Sequence, residues 1–139
     1  METSPAAEHS TVPYHAQVDV FDPTVSDAIP MWTDDSLGRG VAAGRSGLAI
    51  ATRSDFVRGS DDLASVRIRV WIGDTQSPSG SVIYEGPLGI GNEGVLVGSI
   101  VGSDLHNVAV PAGDYRVKVH VEPKEAPDLI DVVLRKASP

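Results

Sequence analysis

The chain has 139 residues, which fits one domain, and a domain of about this size buries roughly 68–70% of its unfolded surface. It contains no cysteine, so disulfides and thiolate metal sites are excluded and a reducing compartment is compatible. Its 19 acidic and 11 basic residues give a formal charge of −8, which repels phosphate backbones, argues against direct nucleic-acid binding, and permits attraction to a basic surface.

Residues 1–13 read as a disordered N-terminal tail: polar, interrupted by Pro5 and Pro13, and lacking the basic and apolar regions of a signal peptide. No apolar run approaches the ~20 residues of a membrane helix, so a cytoplasmic protein without membrane insertion is expected. A single domain is expected over residues 14–135, with 136–139 as a frayed end. From His15 to Phe21, Val18 and Val20 alternate with Gln17 and Asp19, the period of a half-buried strand. Pro23 and the aspartates Asp22 and Asp27 then punctuate a loop.

Thr33 reads as a helix N-cap, with Asp34 and Asp35 where the positive end of the helix dipole favours carboxylates. Leu37 and Val41 fall on one face, and the helix is expected to end near Gly44. Trp32, just before the cap, is placed as a plug that holds the helix to the body. Leu48 to Thr52 is a short strand and Ser54 to Ala64 a polar loop. Ser65 to Gly73 gives the clearest strand, with Val66, Ile68, Val70 and Ile72 on a buried face and Arg67, Arg69 and Trp71 on a wet one. Further strands follow at 82–84, 95–101 and 105–110. Pro111-Ala112-Gly113 turns the chain into a hairpin, Tyr115 to Glu122 alternates cleanly, and Leu129 to Arg135 forms the last strand. Seven to nine short strands with one short helix define an all-β, antiparallel sandwich.

Several motifs lack the context that their chemistry needs. Gly89-Ile90-Gly91-Asn92-Glu93-Gly94 matches G-x-G-x-x-G, but a strand follows it, not the helix a dinucleotide requires. His9, His15, His106 and His120 lack metal-ligand spacing, and no serine sits in a nucleophile elbow, so no enzyme, cofactor or metal site is expected. Three acidic groups stand out: Asp19, Asp22, Asp27, Asp34 and Asp35; Asp55, Asp61 and Asp62; and Glu122, Glu125, Asp128 and Asp131. Loop carboxylates of this kind suit calcium, so a calcium- or glycan-binding module stays open as the alternative function.

Two blocks of residues say more. Tyr14-His15, Val20-Phe21, Trp32-Thr33-Asp34 and Gly40-Val41-Ala42-Ala43 resemble the N-terminal half of the competence protein J family. Val110-Pro111-Ala112-Gly113-Asp114-Tyr115-Arg116 and Ile130-Asp131-Val132 resemble its C-terminal hairpin and last strand. The family comprises small bacterial inhibitors of a DNA-uptake nuclease. The resemblance implies a non-catalytic, stoichiometric inhibitor whose acidic surface blocks a basic DNA-binding cleft. On that reading Asp22, Asp27, Asp34 and Asp35 are candidate contacts with the nuclease, and Trp32, Thr33 and Tyr115 are structural anchors.

Overall fold

The structure, a computed structural model, describes residues 5–53, 64–73 and 78–137. The elements run in the order β1 (Ala7–Thr11), β2 (Gln17–Phe21), α1 (Asp34–Arg39), β3 (Val41–Ala43), β4 (Gly47–Ala51), β5 (Val66–Ile72), β6 (Ser81–Ile90), β7 (Val95–Ser99), β8 (Asp104–Val108), β9 (Gly113–Glu122) and β10 (Leu129–Lys136). A single 3-10 turn over Tyr14–Ala16 precedes β2. The strands form two five-stranded sheets, the first ordered β1-β5-β10-β9-β6 and the second β3-β4-β2-β7-β8. Alternation along each strand sends one set of side chains between the sheets. Ile68 and Val70 of β5, Val119 of β9 and Val132 of β10 meet Val18 of β2 and Ile50 of β4 there, all fully buried. Each such side chain contributes about 1.5–3 kcal/mol by leaving water.

The two open sides of the sandwich are closed differently. On one, β1 lies over β8: Thr11 Oγ1 donates to Asp104 Oδ2 at 2.7 Å, and His9 Nε2 stands 3.1 Å from Asp104 Oδ1. On the other, the Gly89 N–H of β6 donates to the Arg45 carbonyl ahead of β4 at 2.9 Å.

The all-β sandwich with one short helix agrees with the sequence, and five details correct it. Ten strands are present among the described residues, and β5 pairs with β10 in parallel while the remaining ladders are antiparallel. Residues 7–11, expected within a disordered tail, form β1 against β5, held in register from Ala7↔Val70 to Thr11↔Val66. The helix ends at Arg39, because Gly40 takes the left-handed conformation (φ 89°) and its N–H closes on the Ser36 carbonyl; Val41 opens β3. The strand expected to reach Val101 stops at Ser99 and turns. Finally, Pro111–Gly113 does not fold one strand back on the next: β8 pairs with β7, and β9 joins the other sheet between β6 and β10, so the turn carries the chain across the sandwich.

Candidate partner-binding surface

The surface is built by the segment that leaves β2, crosses the outer face of the second sheet and ends in α1. Its first residue is tied down. Asp22 is 3% exposed; its Oδ1 accepts from the Thr24 N–H (2.9 Å) and Oγ1 (2.7 Å), and its Oδ2 accepts from the Gly91 N–H (2.9 Å). Burial pushes this carboxyl up, but the hydrogen bonds from Thr24 and Gly91 outweigh it and hold the group below the ordinary carboxylate range. Asp22, a candidate contact from sequence, therefore clamps the loop to the β6–β7 connection and, buried there, is not displayed to a partner.

Residues 23–27 are exposed, and Asp27 bends the chain with φ 58°. Ala28 then drops onto Gly47, where a Cβ would overlap the Ala28 carbonyl oxygen, so only glycine admits the approach. The neighbouring outward residues of this face, Ala42 and Ala49, are also small and buried. The crossing ends at Trp32, which is half-buried; its Nε1 donates to Gln17 Oε1 at 2.8 Å, and Gln17 Nε2 donates to Asp19 Oδ1 at 2.7 Å. Asp19, which alternation puts on a wet face, is 3% exposed. Burial pushes its carboxyl up, and hydrogen bonds from Gln17 and the Ile100 N–H recover only part of the cost.

Helix α1 stands at the end of this crossing. The Thr33 side chain accepts from the Ser36 N–H at 3.1 Å while Ser36 Oγ accepts from the Thr33 N–H at 2.7 Å, a reciprocal cap that fixes the first turn. Asp34 and Asp35 project from that turn into solvent, and among the described residues no cation pairs with either. Beside them Met31 is 87% and Leu37 61% exposed, whereas Val41 lies beyond the helix, fully buried in β3, so Leu37 and Val41 do not share the helix face that their spacing suggests. The structure brings Asp34 and Asp35 together, leaves Asp27 exposed at the start of the crossing, and removes Asp22. Sequence reasoning missed Met31 and Leu37 because an apolar residue beside a cap reads equally as packing.

The remaining sequence candidates are dispersed. Tyr115 is buried, with its hydroxyl donating to the Pro111 carbonyl at 2.6 Å. His9 stacks on His106 at 5.3 Å, and His120 Nδ1 lies 3.2 Å from the Gly80 carbonyl oxygen. Asp131 is buried against Arg69 and Trp71, and Asp128 lies 3.7 Å from Arg53. Asp55, Asp61 and Asp62 fall outside the described residues, and among those described no group of three or more histidine or carboxylate side chains could hold a metal ion. Gly89 is the penultimate residue of β6, and Gly94 (φ 74°) turns into β7. Among the described residues no helix is long and apolar enough to cross a membrane.

The protein is thus an all-β two-sheet sandwich whose crossing segment presents carboxylates, without cation partners among the described residues, beside exposed apolar side chains. The chain belongs to the competence protein J (ComJ) family, whose model matches residues 9–135. Its fold is similar to that of ComJ from Bacillus subtilis, described as an inhibitor of the DNA degrading activity of NucA: TM-score 0.73, 14% identity, 99% of this chain and 100% of that one covered. It is also similar in fold to crocagin biosynthetic gene J, with TM-score 0.55, 13% identity and coverage of 95% and 99%. The sequence matches none of the curated proteins.

Proposed function

We propose that this chain is a stoichiometric inhibitor of a DNA-degrading nuclease, acting in the cytoplasm and performing no chemistry itself. The observation that carries the reading is the pair Asp34 and Asp35, exposed beside Met31 and Leu37 with no cation partner among the described residues, in a family whose Bacillus subtilis member is described as an inhibitor of the DNA degrading activity of NucA. Carboxylates held on a capped turn stand in for DNA phosphates against lysine and arginine of a nuclease cleft. Long-range attraction steers the encounter, and the apolar neighbours supply the desolvated centre of the contact. Trp32, Thr33 and Tyr115 keep the platform rigid, so that little ordering entropy is lost on binding.

The test is a titration of the purified chain into a fixed amount of a DNA-degrading nuclease from the same organism, with plasmid hydrolysis followed by fluorescence. Activity is expected to fall linearly to an equivalence point near one chain per nuclease. Full hydrolysis at a large excess of the chain, with no complex on size exclusion, would remove the reading.

A further inference from the structure

The turn between β7 and β8 breaks the usual rule for a solvent-facing corner, where Gly, Asn, Asp and Ser dominate. Here the first two corner residues are Ile100 and Val101, 40% and 61% exposed. The turn is rigid: Ser103 N–H donates to the Ile100 carbonyl at 3.0 Å, Gly102 N–H donates to Ser99 Oγ at 3.1 Å, and Ser103 sits at φ 55°. Gly102 is pressed so closely on Tyr14 that a Cβ would come within 2.6 Å of the ring. Two branched apolar side chains are thus displayed on a preformed platform.

That platform is joined to α1. Asp19 pairs with Gly98 across β2 and β7, two residues before Ile100, and accepts from Gln17, which accepts from Trp32, the residue before the helix cap. Strand pairing and two side-chain hydrogen bonds thus connect the turn at residues 100–103 to Trp32, which leads into the helix cap ahead of Asp34 and Asp35. At the two ends of this connection the exposed apolar residues include Ile100, Val101 and Met31, and Asp34 and Asp35, near Met31 in the chain, pair with no cation among the described residues. An apolar centre with a rim of one sign is the anatomy of a protein interface.

We infer that the partner surface extends from α1 across Gln17 to the β7–β8 turn, with Ile100 and Val101 as apolar contacts for a basic protein whose lysines and arginines flank an apolar notch. This rests on the proposed nuclease partner and adds the half of its footprint that the acidic segment does not supply. Charge complementarity selects that occupant: a second copy of this chain would bring the same carboxylates face to face.

The experiment uses the full chain and the same nuclease, immobilised, with binding followed by surface plasmon resonance at low and high salt. Ile100→Ser with Val101→Ser is expected to raise Kd at least tenfold, mainly through faster dissociation and by a similar factor at both salt concentrations, with the melting temperature nearly that of the parent. Single variants guard against a folding defect: Val101→Lys should weaken binding more than Val101→Asp, because only the former places like charge against a basic partner. Unchanged affinity in the double variant, or equal losses from Lys and Asp, overturns the inference while leaving the inhibitor reading intact. A parent chain that is dimeric in solution, and made monomeric by the double variant, overturns it in favour of a second copy. Failure of the parent to bind at all removes both.

Discussion

The outer faces of the two sheets handle charge in opposite ways. On the first sheet, residues in register across the strands neutralise one another: Glu8, Arg69 and Asp131 lie side by side, and Arg69 grips Asp131 through Nε and Nη2 at 2.6 and 2.9 Å. Trp71 Nε1 adds a bond to the same carboxylate at 2.9 Å, and the Arg69 guanidinium lies 5.5 Å from the Trp71 ring centre. Farther along, Arg116 and Lys118 share Glu85 at 3.0 and 4.0 Å. The second sheet's outer face instead has alanine and glycine, with Asp19 beside them, under a crossing segment, and the exposed carboxylates sit on that segment without cations among the described residues. A formal charge of −8 is therefore not spread evenly. Carboxylates paired with cations, or bonded inward as Asp19 and Asp22 are, are committed to the fold, and the exposed ones without a partner remain available for binding.

The sharpest way to break this comparison is Asp131→Ala on the compensated face. It strands Arg69 and the Trp71 indole N–H in a largely buried row, and removing one partner of a buried pair costs up to 3–5 kcal/mol. Because Arg69 keeps a quarter of its side chain in water, a loss of ~3 kcal/mol is expected, lowering the melting temperature by about 10 °C. A melting temperature within about 2 °C of the parent would put this row on a par with solvated surface pairs.

Trp32→Ala tests the crossing segment. A core tryptophan truncation costs about 3–5 kcal/mol, but Trp32 is only half-buried, so ~2 kcal/mol is expected by urea unfolding with Trp71 fluorescence as the reporter. Trp32→Phe should recover most of that, short of about 1 kcal/mol for the lost bond to Gln17. If the alanine variant unfolds with the parent yet fails to bind the nuclease, Trp32 belongs to the contact and not to the scaffold.

Asp22→Asn separates a clamping carboxylate from a displayed one. The amide places a donor against the Gly91 N–H, so ~1 kcal/mol should be lost near neutral pH. The Asp22 carboxyl titrates lower in the folded chain than in the unfolded one, so its stabilisation is fully present above the ordinary value of about 4 and disappears as pH falls through the lower folded value. Parent and variant should therefore converge in acid. A gap that stays constant down to about pH 2 would mean that the lost interaction does not depend on the charge.

What the sequence made legible was local. Period-two alternation in Val66–Ile72 and Tyr115–Glu122, and the Thr33 cap, need only near neighbours, and the structure has strands and a capped helix there. Strand β1 was illegible because Ala7-Glu8-His9-Ser10-Thr11 has no apolar alternation of its own; it is ordered by the edge of β5 and by Asp104, 93 residues from Thr11. Asp19 was misread for the same reason, since the segment that covers it arrives from residues 28–32. Asp22 was half legible: a bond to Thr24, two residues on, is a common loop device, but Gly91 is 69 residues away. For the partner surface, spacing could suggest an acidic turn, but only the three-dimensional course of the chain distinguishes an aspartate that bonds inward from one that faces out.

The smallest expected effect on the molecule itself comes from Asp34→Asn with Asp35→Asn. The variant keeps shape and the Thr33–Ser36 cap, and gives up a dipole interaction of about 0.3–1 kcal/mol per residue, the lower end applying to exposed groups in salt. The melting temperature should fall by only a few degrees. Association with a basic nuclease should slow several-fold at low salt, and the dependence of the on-rate on ionic strength should flatten, because screening over ~8–10 Å then acts on two fewer charges. The control is Glu8→Gln with Glu85→Gln, the same change of net charge on the compensated face, where each carboxylate already faces arginine. Equal slowing by both pairs would mean that net charge alone steers the encounter. Slowing confined to Asp34 and Asp35 would localise the contact to the segment that lies over the second sheet, and no change in either would leave that segment without a role in recognition.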